Sequence, residues 1–194
     1  MMMSKNAMWL TIIFAAAILG ALMGPLLANN LSFGTLILLT LVVFGGIIAY
    51  CVWALSKNKG GAKADTAALA DARTMMAPEG KARIYVTRRG FVGALQGMNI
   101  GLDGQAQGQI KSGQMLMADV APGTHRIDAT TAQAKLARPA EIEVDVAAGA
   151  VVAIDAMLEM GALKGGVKLT RSDAAKTRED VNATTLILWT VPPA

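Results

Sequence analysis

Between Asn6 and Ser56 the chain carries no charged residue, and apart from Lys5 every charge lies from Lys57 onward. That segregation excludes a single water-soluble unit and implies two solvents, lipid for the first part and water for the rest. Cysteine is almost missing too, with Cys51 alone inside the apolar run. One thiol excludes an intrachain disulfide. With His125 the sole histidine, a Cys/His zinc site cannot be assembled from this chain alone. A basic stripe is also lacking. Lys and Arg intersperse with Asp and Glu through the polar part, and the net charge is only +4, so nucleic acid is not an expected partner.

What is present begins with two apolar runs. Pro25, Asn29 and Asn30 punctuate the uncharged stretch, which is too long for one crossing. We read helix one as roughly residues 8–28 and helix two as roughly residues 33–55. At about 1.5 Å rise per residue each covers the roughly 30 Å hydrocarbon core. The short polar turn from Asn29 to Ser32 predicts an antiparallel membrane hairpin, with Trp9, Tyr50 and Trp53 as an interfacial aromatic belt. A rival reading makes residues 1 to about 28 a cleaved signal peptide, although Leu26 suits the small-residue cleavage rule poorly. Lys5 before helix one and Lys57, Lys59 and Lys63 after helix two place both ends in the cytoplasm by the positive-inside rule. Ala16, Gly20 and Gly24 form a small-residue face for helix packing, either between the two helices or onto another membrane subunit.

Residues 57–80 read as a basic, Ala-rich linker with a short helix from Thr66 to Met76, stopped by Pro78 and Gly80. From Lys81 to the C-terminus the period changes to two. Ile84 and Val86 alternate with Arg83, Tyr85 and Thr87. Met98, Ile100 and Leu102 share one face, as do Ile142, Val144 and Val146, and then Val152, Ile154, Ala156 and Leu158. Strict alternation means strands with one wet and one dry face. Asp103-Gly104, Pro122-Gly123 and Ala148-Gly149 supply the turns. The expected fold is a membrane helical hairpin plus an all-β domain, a small antiparallel β-sandwich.

The succession Ala82-Arg83-Ile84-Tyr85-Val86, Asn99-Ile100-Gly101-Leu102-Asp103-Gly104, Gly108 to Gly113 and Asp119 to His125 resembles an uncharacterised bacterial β-sandwich domain family. Ala148-Gly149, Met160-Gly161 and Arg178 to Val181 continue it. That family is found on small lipoproteins and membrane proteins and is PEGA-like in appearance. The resemblance covers roughly residues 81–186 and implies the fold and a bacterial inner-membrane setting, with no activity to carry over. Cys51 lies too deep to be a lipidation cysteine. The family habit pulls toward the periplasm, the charge rule toward the cytoplasm.

No residue pattern predicts catalysis, a metal or a cofactor. His125 reads as a strand residue after the Pro-Gly turn, and with Ser112 and Ser172 it is the most plausible stock for a hydrolase within the soluble domain. Glu141, Glu143 and Asp145 read as a solvated strand face. The glycines from Gly161 to Gly166 lack a phosphate-loop spacing. The tail, Leu186-Ile187-Leu188-Trp189, would need cover on both faces and so suggests a partner contact. The expected role is a non-enzymatic, membrane-anchored interaction module, an accessory subunit bound to lipid and to a protein partner or a second copy. The alternative is a sensor or carrier with a deep pocket for a small apolar ligand.

Overall fold

The computed structural model describes residues 24–25, 29–159, 161 and 165–193. The first predicted membrane helix falls almost wholly outside them, and with it Ala16, Gly20 and the hairpin. Gly24 is described; it is exposed, with nothing within 4 Å of where a Cβ would stand. The chain divides into two units, Met1–Cys51 and Val52–Ala194.

Helix α1 (Phe33–Leu55) begins where Ser32 caps it, the hydroxyl accepting from Thr35 N at 3.2 Å. Its 23 residues contain no charge, and large apolar side chains such as Leu38, Val42 and Val52 are more than half exposed. Among the described residues one helix, near the N-terminus, is long and apolar enough to cross a membrane, a length and composition that fit a membrane anchor or a signal sequence.

The second unit is mostly β. Its strands are β1 (Ala82–Arg88), β2 (Met98–Leu102), β3 (Ala106–Ile110), β4 (Gln114–Val120) and β5 (Gly123–Thr131), followed by β6 (Ala137–Arg138), β7 (Ala140–Val146), β8 (Val151–Glu159), β9 (Gly165–Arg171) and β10 (Thr185–Leu186). Two helices accompany them, α2 (Thr66–Thr74) and α3 (Ala174–Ala183). One sheet runs β10-β4-β1-β8-β9-β6 and the other β3-β2-β5-β7. The apolar faces read from alternation meet between them: Ile84 and Val86 pack with Ile100, Leu116, Ile127, Val144 and Ile154. Burying such faces against each other is the main stabilising term of the unit.

The all-antiparallel expectation needs correction in the six-stranded sheet. β1 pairs β8 in parallel, as β10 pairs β4 and β6 pairs β9. The alternation of β1 also misleads, because all seven of its residues are buried. Its second face is covered by helices, where Tyr85 packs with Ala72, Met115, Ala153, Val181 and Leu186. The helix C-terminus explains the polar residues there. An α-helix leaves its last carbonyls unpaired, and β1 supplies donors: Tyr85 Oη reaches Ala72 O at 2.5 Å and Arg83 Nη1 reaches Asp71 O at 3.1 Å. Arg83 also bridges Asp119 at 2.6 Å and Asp71 at 2.8 Å, which raises its pKa.

The predicted linker is accordingly part of this unit over much of its length. Asp65 caps α2 through Ala68 N at 2.7 Å, and the helix closes on Met75 in the left-handed conformation, slightly short of the predicted end. Before it, Ala64 N donates to Leu186 O and Leu188 N donates to Ala62 O, so the stretch 62–64 borders the tail as an extra edge.

Helix α3 was not read from the sequence. Asp173 caps it through Lys176 N at 2.8 Å, and a charge network fastens it: Lys176 Nζ meets Asp180 at 2.6 Å and Asp155 at 3.1 Å, while Arg89 meets Asp180 at 3.0 Å and Glu179 at 2.7 Å. Burial works to lower the Lys176 pKa, but the Asp180 and Asp155 carboxylates outweigh it and the pKa is raised.

Strand register gives the sandwich two ends. Arg88, Met98, Ile110, Gln114 and Thr131 lie at one, the proximal end, where the chain leaves α1. The turns at Gly104, Gly123 and Gly149, all with positive φ, lie at the other, the distal end.

Candidate functional site: the polar face of the four-stranded sheet

The outward side chains of β2, β3, β5 and β7 are those that alternation leaves wet, and they define the most open ground on the unit. Asn99, Gly101, Gln107, Asp128, Lys57 and Lys59 line a cleft of about 590 Å³. Its floor depends on a glycine. A Cβ on Gly101 would stand 2.3 Å from Asp128 Oδ1, so the missing side chain lets the carboxylate lie across the strand. Gly101 and Asp128 are cross-strand partners, which is why the two meet.

One wall is the segment leaving α1. Gln109 Nε2 donates to Asn99 Oδ1 at 2.7 Å and to Lys57 O at 3.3 Å, while its Oε1 accepts from Lys59 N. Asn58 donates to Leu95 O and accepts from Gly97 N, both at 2.7 Å. The stretch 57–59 is thus sewn to the sheet, and Lys57 and Lys59 are held at the cleft. A second depression of about 470 Å³ continues past Gly104 and Asp128 toward Arg126 and Glu143. Arg126 pairs with Glu141, and its backbone N–H donates to Asp103 Oδ1 at 2.8 Å. The face therefore runs from lysine-rich at one side to carboxylate-rich at the other, with amides between.

His125 lies at the distal end. Its Nδ1 meets Asp103 Oδ2 at 2.6 Å and its Nε2 meets the Ala121 carbonyl at 2.8 Å. A carboxylate and a carbonyl both require a donor, so the pair of contacts selects the doubly protonated ring. Burial alone would lower the His125 pKa, but the bonds to Asp103 and Ala121 more than offset it and the pKa is raised. Such a ring pins two turns together and has no free nitrogen to accept a proton. Ser112 lies in the turn after β3, at the opposite end of the sandwich, and Ser172 follows β9, so register does not assemble the three. Among the described residues no group of three or more His, Cys, Asp or Glu side chains is placed to hold a metal ion.

The tail finds its cover inside the chain, which corrects the premise for expecting a partner there. Leu186 packs under the helices, Ile187 and Trp189 pack on the core between the sheets, and Trp189 Nε1 donates to Met117 O at 2.7 Å. Leu188 alone of the four is exposed. Of the glycine run, Gly165 and Gly166 open β9, and residues 162–164 lie outside the described ones. The cleft was not anticipated from sequence; the signal available was Asn, Gln and Asp at outward strand positions, which reads equally as ordinary wet surface.

Fold and site together define a two-sheet β domain that follows an apolar helix. Residues 78–167 match a family described as "Protein of unknown function (DUF2846)", which agrees with the resemblance to an uncharacterised domain family. The match takes in both sheets from before β1 to the start of β9 and leaves out α1, α2, α3 and the tail. No curated protein matches the chain.

Proposed function

We propose that the protein is a non-enzymatic, membrane-anchored interaction module, an accessory subunit whose polar cleft receives a segment of a partner protein in a bacterial inner-membrane assembly. The carrying observation is the sewn exit from α1: within four residues of the last apolar turn, Asn58 and Gln109 fix the chain to the sandwich. A module that only needed reach would use a loose tether, whereas here the stretch 57–59 is bonded to the sheet that carries the cleft. The lining of amides, two lysines and Asp128 suits a polar or charged polypeptide. Its lining is not the predominantly apolar one that a small apolar ligand calls for, which weighs against the carrier alternative. The committed ring nitrogens of His125 speak for binding over catalysis. Lys57, Lys59 and Lys63 favour the cytoplasmic side.

The test is a photo-crosslinking amino acid at Gln107 in the full chain, in native membranes, with Ala148 at the distal end as the control position. The expected result is one discrete adduct from Gln107, lost when Lys57 and Lys59 are both changed to Glu. Absence of an adduct from Gln107, or equal adducts from both positions, would overturn the cleft as the partner site.

A further inference from the structure

At the proximal end the loop between β1 and β2 presents Phe91, Val92 and Leu95, with exposures of 93%, 39% and 73%. Apolar residues so exposed on a loose loop would mean little. This loop is built. Ala94 N closes on Phe91 O at 3.0 Å and Gln96 N on Gly93 O at 2.9 Å, giving two successive tight turns. Gly93 has φ near +61°, a backbone conformation that favours glycine.

Beneath the loop lies Arg88, only 1% exposed and, among the described residues, with no carboxylate against its guanidinium. It donates to the carbonyls of Gln96, Gly93 (2.7 Å) and Ile110 (3.5 Å). Burial lowers its pKa, yet guanidinium stays protonated. A buried cation serving loop carbonyls is a costly device, and what it accomplishes is to hold Phe91 and Leu95 outward. The same loop is tied to the chain leaving α1. Asn58 bonds Leu95 O and Gly97 N, and the Gln96 amide, turned with its nitrogen toward Ala54 O, donates to it at 2.9 Å. Gln133 Nε2 reaches Trp53 O at 3.4 Å, which brings the 132–136 turn, with exposed Lys135, to this end.

We infer that the Phe91–Leu95 loop is a second, monotopic membrane contact, seating the proximal end of the sandwich on the lipid surface where α1 leaves it. The inference rests on reading α1 as a membrane anchor. The anchor's last apolar residue, Leu55, and first charge, Lys57, mark the level of the bilayer interface, and the loop is hydrogen-bonded to residues of that same stretch. Bulky apolar tips at the end of the unit that also carries Lys57 and, on the neighbouring turn, Lys135 fit an interfacial contact: side chains enter the headgroup boundary while cations meet anionic lipid.

The experiment uses the full chain with Cys51→Ser, reconstituted in phosphatidylcholine vesicles with and without phosphatidylglycerol. Single cysteines at Phe91, at Leu95 and, as distal control, at Ala148 carry an environment-sensitive fluorophore, and lipids with a nitroxide near the headgroup supply quenching. Blue-shifted emission with strong quenching at 91 and 95, deepened by phosphatidylglycerol, and neither at 148, is the expected result. If 91 and 95 behave like 148 while the chain resists alkaline extraction, the loop contact is overturned and the anchor stands. A blue shift at 91 and 95 without quenching would assign the patch to a second copy of the chain and overturn the lipid contact. Release of the chain by alkaline extraction would remove the anchor and the inference with it.

Discussion

The two sheets of the sandwich are made from strands of similar residue content, yet they solve opposite problems. The four-stranded sheet has one dry and one wet face, and its alternation states this openly: Ile142, Val144 and Val146 turn inward while Glu141, Glu143 and Asp145 meet water. The six-stranded sheet has no wet face along its central strand. Helices α2 and α3 and the Leu186 segment cover the side that alternation would leave to solvent. Most polar residues on that side are buried with a partner: Arg83 takes two carboxylates, Tyr85 a helix-end carbonyl, Asp180 two cations, while the buried Thr87 hydroxyl has none among the described residues. A polar side chain in a strand therefore reports exposure only when nothing packs over it.

The largest expected contrast lies in the tail, where neighbouring apolar residues are placed oppositely. Ile187→Ala removes a side chain that is 1% exposed in the main core and should cost about 2–4 kcal/mol. Leu188→Ala, half exposed, should stay within about 0.5 kcal/mol. Both are read from urea-induced loss of the β circular dichroism of the full chain in detergent micelles. Equal losses would mean that the tail binds the sandwich only weakly.

The next contrast compares carboxylates on the two sheets' outer sides. Asp180→Ala should cost about 2–3 kcal/mol, since it removes the buried acceptor shared by Lys176 and Arg89, although both cations still reach water. Glu143→Ala on the wet face should cost under about 0.5 kcal/mol. Similar values in the same unfolding assay would break the distinction between a covered and a solvated face.

The smallest effect concerns His125. Its folded pKa lies above the ordinary 6.5, so its bond to Asp103 contributes fully below about pH 6.5 and is lost as pH rises through the raised folded value. The expected change is about 1 kcal/mol or less, because Asp103 is partly hydrated. Unfolding midpoints measured across neutral pH should fall for the native chain and flatten for His125→Ala. A midpoint that rises with pH in the native chain and not in the variant would contradict the doubly protonated ring.

Much of this architecture could be read in advance, for local reasons. The absence of charge between Asn6 and Ser56 marks a run apolar enough for a helix of membrane-crossing length, and α1 lies in it. The inward residues of β2 and β7 were legible because a period of two is written by a single strand lying against a single core, whereas β8 kept its alternation although both of its faces are buried. Asp103-Gly104 and Ala148-Gly149 marked their turns because glycine alone adopts positive φ freely. Helix α2 was visible from its spacing and its stop signals.

What the tertiary structure decided depends on residues distant in sequence. The parallel pairing of β1 with β8 joins strands more than sixty positions apart by register, and no local signal encodes it. The cleft exists because Gln109 captures the backbone of Lys57 and Lys59, and because Asp128 lies over a glycine from another strand. Arg88 reads as an ordinary strand-end cation until the loop carbonyls gathered around it show what it holds. Local periodicity fixes which face of a strand is apolar, through side-chain geometry alone. Which polar residues can then be buried is settled only when the fold brings each donor to an acceptor, since an unpaired one would cost more than the packing returns.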